Sequence, residues 1–466
     1  MKWIACSDRV VWADFDIDLD GKPGWCRDPV IADGDEQGFI ACEEDLDRHH
    51  LERRLRAAGF DPLAVPVVLL SEIDRASPVR IRAMVGAAAA RSTAYQGSGP
   101  EHLRPVMPPV VSRRSFLTFR LPSYITVPHP DAAICGAADG CRACVEVCSH
   151  EALAWSRGVI DHDRLACTSC GRCIAACPVG AMVNPAFTPA ALQAEVEALA
   201  ANLVGPFGVV LHCARVPAPP VSAGWFRVAV PCVGMLRVHW IIAPLLIGAA
   251  AVSVARCGCG REPDAPSLVE AAVAGAREWL RAAGWSDASD RIADSPTESL
   301  PEPLGIEASG SGFDPRGGTM VATALGPVVW EDDAAPLGIV TIDDTVCTGC
   351  EMCSTVCPSD ALVSHATEGA LAIAFDPALC TACGQCVALC PEPGAIALRR
   401  TVDSDELAVG IRDLVVHTMA RCSRCGGTVA PQAALDRISR VLANDPITLK
   451  QVTSVCLDCR GTTMVF

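Results

Sequence analysis

Sixteen of the 27 cysteines in this 466-residue chain stand in four runs of four. The runs are Cys135/Cys141/Cys144/Cys148, Cys167/Cys170/Cys173/Cys177, Cys347/Cys350/Cys353/Cys357 and Cys380/Cys383/Cys386/Cys390. Three of them read C-x2-C-x2-C-x3-C, and a proline follows the fourth cysteine in each. That spacing suits iron–sulfur clusters. Two-residue gaps let one tight turn aim three thiolates at three irons of a cubane, while the fourth cysteine points away toward a neighbouring cluster. A pair of runs therefore makes two clusters, and two pairs make four. Disulfide scaffolds are short secreted chains without such runs, so the cysteines point to metal and to a reducing compartment.

The paired runs resemble bacterial dicluster ferredoxins, over about 128–187 (module one) and 338–400 (module two). DHDRLACTSCGRCIAACPVGAM in the first closely matches FDPALCTACGQCVALCPEPGAI in the second, as a duplicated cassette would. The pattern implies crossed ligation. In module one, Cys135, Cys141, Cys144 and Cys177 would hold one cluster, and Cys167, Cys170, Cys173 and Cys148 the other. In module two, which is regular, the sets are Cys347, Cys350, Cys353 and Cys390, then Cys380, Cys383, Cys386 and Cys357. Module one departs from the pattern: five residues separate Cys135 from Cys141, and Ser149 replaces the proline. A [3Fe–4S] cluster there stays open.

Eleven cysteines lie outside the runs. Cys213, Cys232, Cys257 and Cys259 close three strand-like segments, and four sulfurs are what a [2Fe–2S] centre requires. VVLHC, followed by RVAVPCVGMLRVHWIIAPLLIGAAAVSVARCGC, resembles the delta subunit of methyl-viologen-reducing hydrogenase over about 85 residues. That resemblance implies a [2Fe–2S] electron-transfer domain that docks on the flavin-containing subunit of heterodisulfide reductase. The chain departs from it at Ala214 and Arg215, where that family usually has extra cysteines, and in its short Cys257-Gly258-Cys259 turn. A redox-active dithiol and ordinary buried cysteines are the competing readings.

Cys6, Cys26 and Cys42 are one thiolate short of a closed site, with His49 or His50 a conceivable fourth ligand. FIACEEDLDRHHLERRLRAAG resembles the N-terminal domain of that same flavin-containing heterodisulfide reductase subunit, and structural cysteines are the alternative. Cys422-x2-Cys425 and Cys456-x2-Cys459 present four sulfurs from two knuckles, the zinc-ribbon arrangement of a structural site. A rubredoxin-like iron site would use the same ligands but lacks its aromatic core here.

Charge and composition narrow the partners. The formal net charge is −16, which argues against nucleic acid, whose binding needs a basic footprint. It favours docking on a protein with a basic patch around its own redox centre. The start, MKWIACSDRV, lacks the pattern of a signal peptide. The twin-arginine-like Ser112-Arg113-Arg114-Ser115-Phe116-Leu117 lies deep in the chain with no apolar helix behind it. Trp240 to Ala255, an apolar stretch of sixteen residues with Pro244 and Gly248 inside, falls short of the ~20 that span a bilayer. It reads as a buried helix running into a buried strand. The expectation is a cytoplasmic protein with no membrane span. Glycine-rich nucleotide loops and nucleophile elbows are missing.

The elements that must position these thiols form a string of small domains, multidomain α/β plus α+β in class. The expected order is a small α/β domain with three cysteines (1–85), a linker (86–127), ferredoxin-like module one (128–187) and a hydrogenase-delta-subunit-like α/β domain (188–284). A flexible linker (285–337), module two (338–400) and a helical zinc-ribbon-like domain (401–466) follow. MKWIAC, GFIAC, FGVVLHC, WFRVAVPC and AAAVSVARC read as strands that each deliver a cysteine at the C-terminal end, where ligands gather in open α/β sheets. DLDRHHLERRLRAAG, PAALQAEVEALAANL and SLVEAAVAGAREWLRAAG have helical periodicity. Gly, Pro and Ser enrichment marks the linkers.

These readings point to an electron-transfer subunit with four [4Fe–4S] clusters, a [2Fe–2S] centre and structural zinc, and no catalytic residues of its own. Its expected partners are redox subunits carrying flavin or molybdenum, in a hydrogenase, formate dehydrogenase or heterodisulfide-reductase-like complex. Two rivals stand beside this. Cys257 and Cys259 next to a cluster would suit a disulfide or sulfur reductase, and labile clusters would suit a cluster or metal chaperone.

Overall fold

The computed structural model describes residues 2–6, 19–22, 25–27, 29, 37–42, 48–58, 60–71, 77–95, 97, 99–106, 123–260, 262–306, 312–314, 316–367 and 369–461. The chain forms two compact units, Met1–Cys135 with Cys144–Leu325, and Gly136–Ala143 with Gly326–Phe466. The twin-arginine-like segment 112–117 and the side chain of His49 lie outside the described residues.

The first unit opens with a four-stranded parallel sheet of β1 (Lys2–Cys6), β2 (Leu19–Lys22), β3 (Gln37–Cys42) and β4 (Val67–Leu70), in the order β2-β1-β3-β4. Side chains alternate across a strand, and both faces are covered. Ile4, Cys6, Phe39 and Cys42 pack against Leu51 and Leu55 of the helix Arg48–Ala57. Trp3, Ala5, Ile40 and Val68 pack against Ile81 and Val85 of the helix Pro78–Thr93.

The segment 86–127, expected as linker, carries the last turns of that second helix and the antiparallel strands β5 (Leu103–Val106) and β6 (Ser123–Thr126). The helix persists because tertiary contacts hold its end. Arg91 pairs with partly buried Glu195 at 2.6 Å and donates to the carbonyls of Ala186 and Ala229 at 3.1 and 3.0 Å. The run of small residues there gives little hydrophobic periodicity, which is why the sequence pattern fades.

Module one contributes short antiparallel pairs, β7 (His129–Pro130) with β10 (Met182–Val183), and β8 (Leu153–Ser156) with β9 (Val159–His162). A second parallel sheet follows: β11 (Gly208–Cys213), β12 (Trp225–Val230), β13 (Ala251–Val254) and β14 (Ile292–Ala293), in the order β12-β11-β13-β14. β11 and β13 are buried along their whole length, as parallel strands covered on both faces are. The apolar run Trp240–Ala255 is the buried helix Val238–Ile247, ended at left-handed Gly248, running into β13. No described helix is long and apolar enough to cross a membrane. The segment 285–337, expected to be flexible, holds β14, the helix Gly318–Leu325 and buried Phe313. Buried His239 donates to the carbonyl of Asp314 at 3.3 Å.

The second unit is antiparallel. β15 (Val329–Glu331), β19 (Ile396–Asp403) and β16 (Gly338–Ile342) form one sheet. β17 (Leu362–Ala366), β18 (Ala370–Phe375), β20 (Arg412–Arg421) and β21 (Thr428–Pro431) form another. The expectation of a helical 401–466 is corrected here. β20 pairs with β18, Ile373 against Val415, so this stretch completes module two's own sheet. Helices Gln432–Val441 and Pro446–Ser454 then separate the two CxxC pairs.

Candidate iron–sulfur and metal centres

Each of the four runs opens in the same way. An aspartate stands four residues ahead of the first cysteine, and its Oδ1 accepts from the backbone N–H two residues on: Asp131 from Ala133, Asp163 from Leu165, Asp343 from Thr345 and Asp376 from Ala378, at 2.8–2.9 Å. This is a side-chain-capped turn. It delivers the chain into the cysteine loop.

Within the three regular runs, two backbone positions are left-handed: Ser169 and Gly171, Gly349 and Glu351, Ala382 and Gly384. Successive conformations of alternating hand turn backbone N–H groups toward one concave centre, a device suited to an anionic guest. Ser169 N–H reaches Cys167 at 3.4 Å, Gly349 N–H reaches Cys347 at 3.5 Å, and Ala382 N–H bonds Cys380. Ser169, Glu351 and Ala382 bear side chains at φ 58, 61 and 52°, a conformation that costs non-glycine residues about 1–2 kcal/mol each. The first run differs, with Gly140 as its only left-handed residue.

In the second unit these loops enclose two cavities. One is lined by Cys347, Cys350, Cys353 and Cys390, with Ile342 and Ile373 behind them. The other is lined by Cys357, Cys380, Cys383 and Cys386, with Val340 and Phe375. Each cavity thus gathers three cysteines of one run and the fourth of the other. Burial, then neighbouring thiols, push Cys353 and Cys386 up to about 12; burial does the same to Cys380. Thiols so desolvated yield their protons to a metal cation rather than to water. The donor sets and the apolar side chains behind them fit iron–sulfur clusters.

In the first unit, Cys148 raises the thiol pKa of each of Cys167, Cys170 and Cys173, so it faces that run; burial is the leading cause in all three. Cys135, Cys144 and Cys177 belong to this unit and Cys141 to the second. The Sγ atoms of Cys213, Cys257 and Cys259 lie within 4.8 Å of one another. Cys232 stands outside that tight group. Its thiol is pushed up to about 12 by burial first, and then by Cys259, Cys257 and Cys170. Cys232 therefore feels both the middle-sheet thiols and a cysteine of module one.

Two contacts hold module one against the middle sheet. Glu262, with its side chain fully buried, accepts from Ser149 Oγ at 2.9 Å and pairs with Arg172 at 3.5 Å. One of its oxygens groups with His150 and Cys170 within 4.8 Å. At Gly171, an added Cβ would meet the Met235 sulfur at 2.5 Å, so glycine is needed for space as well as for φ.

At the C-terminal end, the sulfurs of Cys422, Cys425, Cys456 and Cys459 lie within 4.8 Å of one another. Cys422 Sγ accepts from the N–H groups of Cys456 and Arg424, each at 3.4 Å. These bonds, with that of Cys456 the strongest, bring its thiol down to about 6. Four clustered sulfurs with one already disposed to ionise fit a closed tetrahedral metal site. Cys6, Cys26 and Cys42 form a fully buried trio within the same 4.8 Å limit, and His50 is not part of it.

Sequence reasoning missed two residues. His417 on β20 places Nε2 3.4 Å from Cys347 Sγ, and Glu262 lies beside Cys170. Neither has a local spacing signal, because each reaches its cysteine through tertiary packing.

Residues 339–391 match a family model described as a 4Fe-4S dicluster domain, and residues 138–181 match a second model of that description. No curated protein matches the chain. The chain carries two 4Fe-4S dicluster domains, and these imply several [4Fe–4S] clusters and a part in iron–sulfur electron transfer.

Proposed function

We propose that this protein is a multi-cluster electron-transfer subunit that relays electrons between a redox enzyme and a partner subunit in a reducing, cytoplasmic setting. The observation that carries the reading is the pair of cavities in the second unit, each lined by a crossed set of four cysteines. Such clusters supply one-electron transfer without bond-making, at potentials set by burial and by hydrogen bonds to sulfur. The chain's own residues hold those thiolates, exclude water from them and aim N–H groups at them. Ligation follows the crossed sets in both modules, four [4Fe–4S] clusters in all. Cys213, Cys257 and Cys259, with Cys232, take a [2Fe–2S] centre, and the C-terminal four cysteines take structural zinc.

The resemblance to the hydrogenase delta subunit supports this reading of the middle sheet and favours a hydrogenase, formate dehydrogenase or heterodisulfide-reductase-like complex. The formal charge of −16 favours a partner with a basic docking face. Bond-making, on flavin or molybdenum, falls to that partner.

The test is to titrate the reduced chain against a disulfide, with Cys259→Ser as control. A relay exchanges electrons with a one-electron acceptor and leaves the disulfide intact. Disulfide turnover by the isolated chain, lost in Cys259→Ser, would overturn the relay in favour of a reductase.

A further inference from the structure

The cysteines of the N-terminal sheet repeat the placement of those in the middle sheet. Both sheets are fully parallel, with the second strand outermost, then the first, the third and the fourth. In each, one cysteine ends the first strand, Cys6 on β1 and Cys213 on β11. A second follows the second strand, Cys26 beyond β2 and Cys232 beyond β12. A third stands at the end of the third strand or just past it, Cys42 on β3 and Cys257 beyond β13.

The register repeats as well. Ala5 pairs with Ile40, which sets Cys6 level with Ala41 and Cys42 one residue further along. Leu211 pairs with Val254, which sets Cys213 level with Arg256 and Cys257 one residue further along. A helix follows the third strand in both, Arg48–Ala57 and Ala265–Ala282, and leads to the fourth. In both groups a backbone N–H reaches a cysteine sulfur, Cys42 N–H to Cys26 at 3.1 Å and Cys259 N–H to Cys257 at 3.4 Å.

We propose that Cys6, Cys26 and Cys42 ligate an iron–sulfur centre of their own, the counterpart of the one assigned to Cys213, Cys232, Cys257 and Cys259. A single buried cysteine is an ordinary core residue. Here three buried thiols from three separate segments converge within 4.8 Å at the carboxyl edge of a parallel sheet, where ligands collect. The other 24 of the 27 cysteines belong to the groups described above, so a non-cysteine ligand completes this centre. The proposal shares with the relay reading the cluster assignment of the middle sheet, but it is decided by counting metal and not by following electrons.

The experiment uses full-length protein purified without oxygen. Iron and acid-labile sulfide are measured in the parent, in Cys42→Ser and in Cys26→Ala, whose smaller apolar side chain suits the buried position. Each variant is expected to lose about two to four irons with matching sulfide per chain, while the paramagnetic signals of the other clusters stay. Unchanged iron, or zinc in place of iron at this site, would overturn the proposal. Because a variant can fail to fold, the parent is also weighed intact under non-denaturing conditions. Inorganic mass beyond four [4Fe–4S] clusters, one [2Fe–2S] centre and one zinc supports the added centre; mass that those fully account for refutes it.

Discussion

His417 Nε2 lies 3.4 Å from the sulfur of Cys347. The ring is buried, and burial holds its pKa below the ordinary histidine value, so it approaches the sulfur neutral. With the proton on Nε2 it donates to the thiolate, which favours the reduced, more negative state of a bound cluster. Replacing His417 with Ala should lower the potential of one cluster in the second unit. A hydrogen bond of about 1 kcal/mol corresponds to roughly 40 mV for one electron. Redox titration followed by electron paramagnetic resonance checks this, and His417→Gln, which keeps a donor, should recover part of the shift.

Glu262 should act in the opposite direction. Its carboxylate lies beside Cys170 and is bonded to Ser149 and Arg172. Glu262→Gln removes a negative charge and should raise the potential of the cluster expected at Cys148, Cys167, Cys170 and Cys173. One charge at about 5 Å in an effective dielectric of about 20, weakened by Arg172, gives a shift on the order of 50–100 mV. Glu262→Ala should also destabilise the first unit by about 3–5 kcal/mol, the usual cost of breaking a buried ion pair. Thermal melting measures it.

The C-terminal four sulfurs predict one zinc per chain, removable without loss of the clusters. Treatment with a zinc-selective chelator should leave the visible absorption of the iron–sulfur clusters in place. Cys456→Ser should abolish zinc, measured by elemental analysis, and loosen the helices Gln432–Val441 and Pro446–Ser454, measured by hydrogen exchange.

Acid should weaken the first unit through its histidines. Burial lowers His162 to about 4 and His239 well below its ordinary 6.5. The unfolded chain therefore binds protons that the folded one refuses. The stability that these rings contribute is complete above about pH 6.5 and is lost as pH falls toward 4. His162→Phe, which cannot protonate, should show a shallower fall in Tm across that window than the parent.

How much of this was readable from the sequence depends on the distance over which each feature is encoded. Each cysteine run lies within one short stretch of chain, so spacing alone expresses it; the leading aspartates and the left-handed positions are equally local but emerge only in the structure. The separation of Cys390 from Cys380, Cys383 and Cys386 of its own run is also local, because three residues after a C-x2-C turn send a side chain the other way. The extension of the helix to Thr93 was not readable. It depends on Arg91 finding Glu195 a hundred residues later. The role of β20 was hidden for the same reason: nothing in RDLVVHTMAR names β18 as its neighbour, yet that pairing carries His417 to Cys347.

β20 also bears on the order of events during biosynthesis. Roughly twenty residues separate Cys390, the last thiol of module two, from Arg412, where the covering strand begins. At about 5–20 residues per second, the ribosome exposes all eight thiols for some seconds before that strand can close over β18. Module two's thiols thus precede, by that interval, the strand that completes their sheet and brings His417 to Cys347.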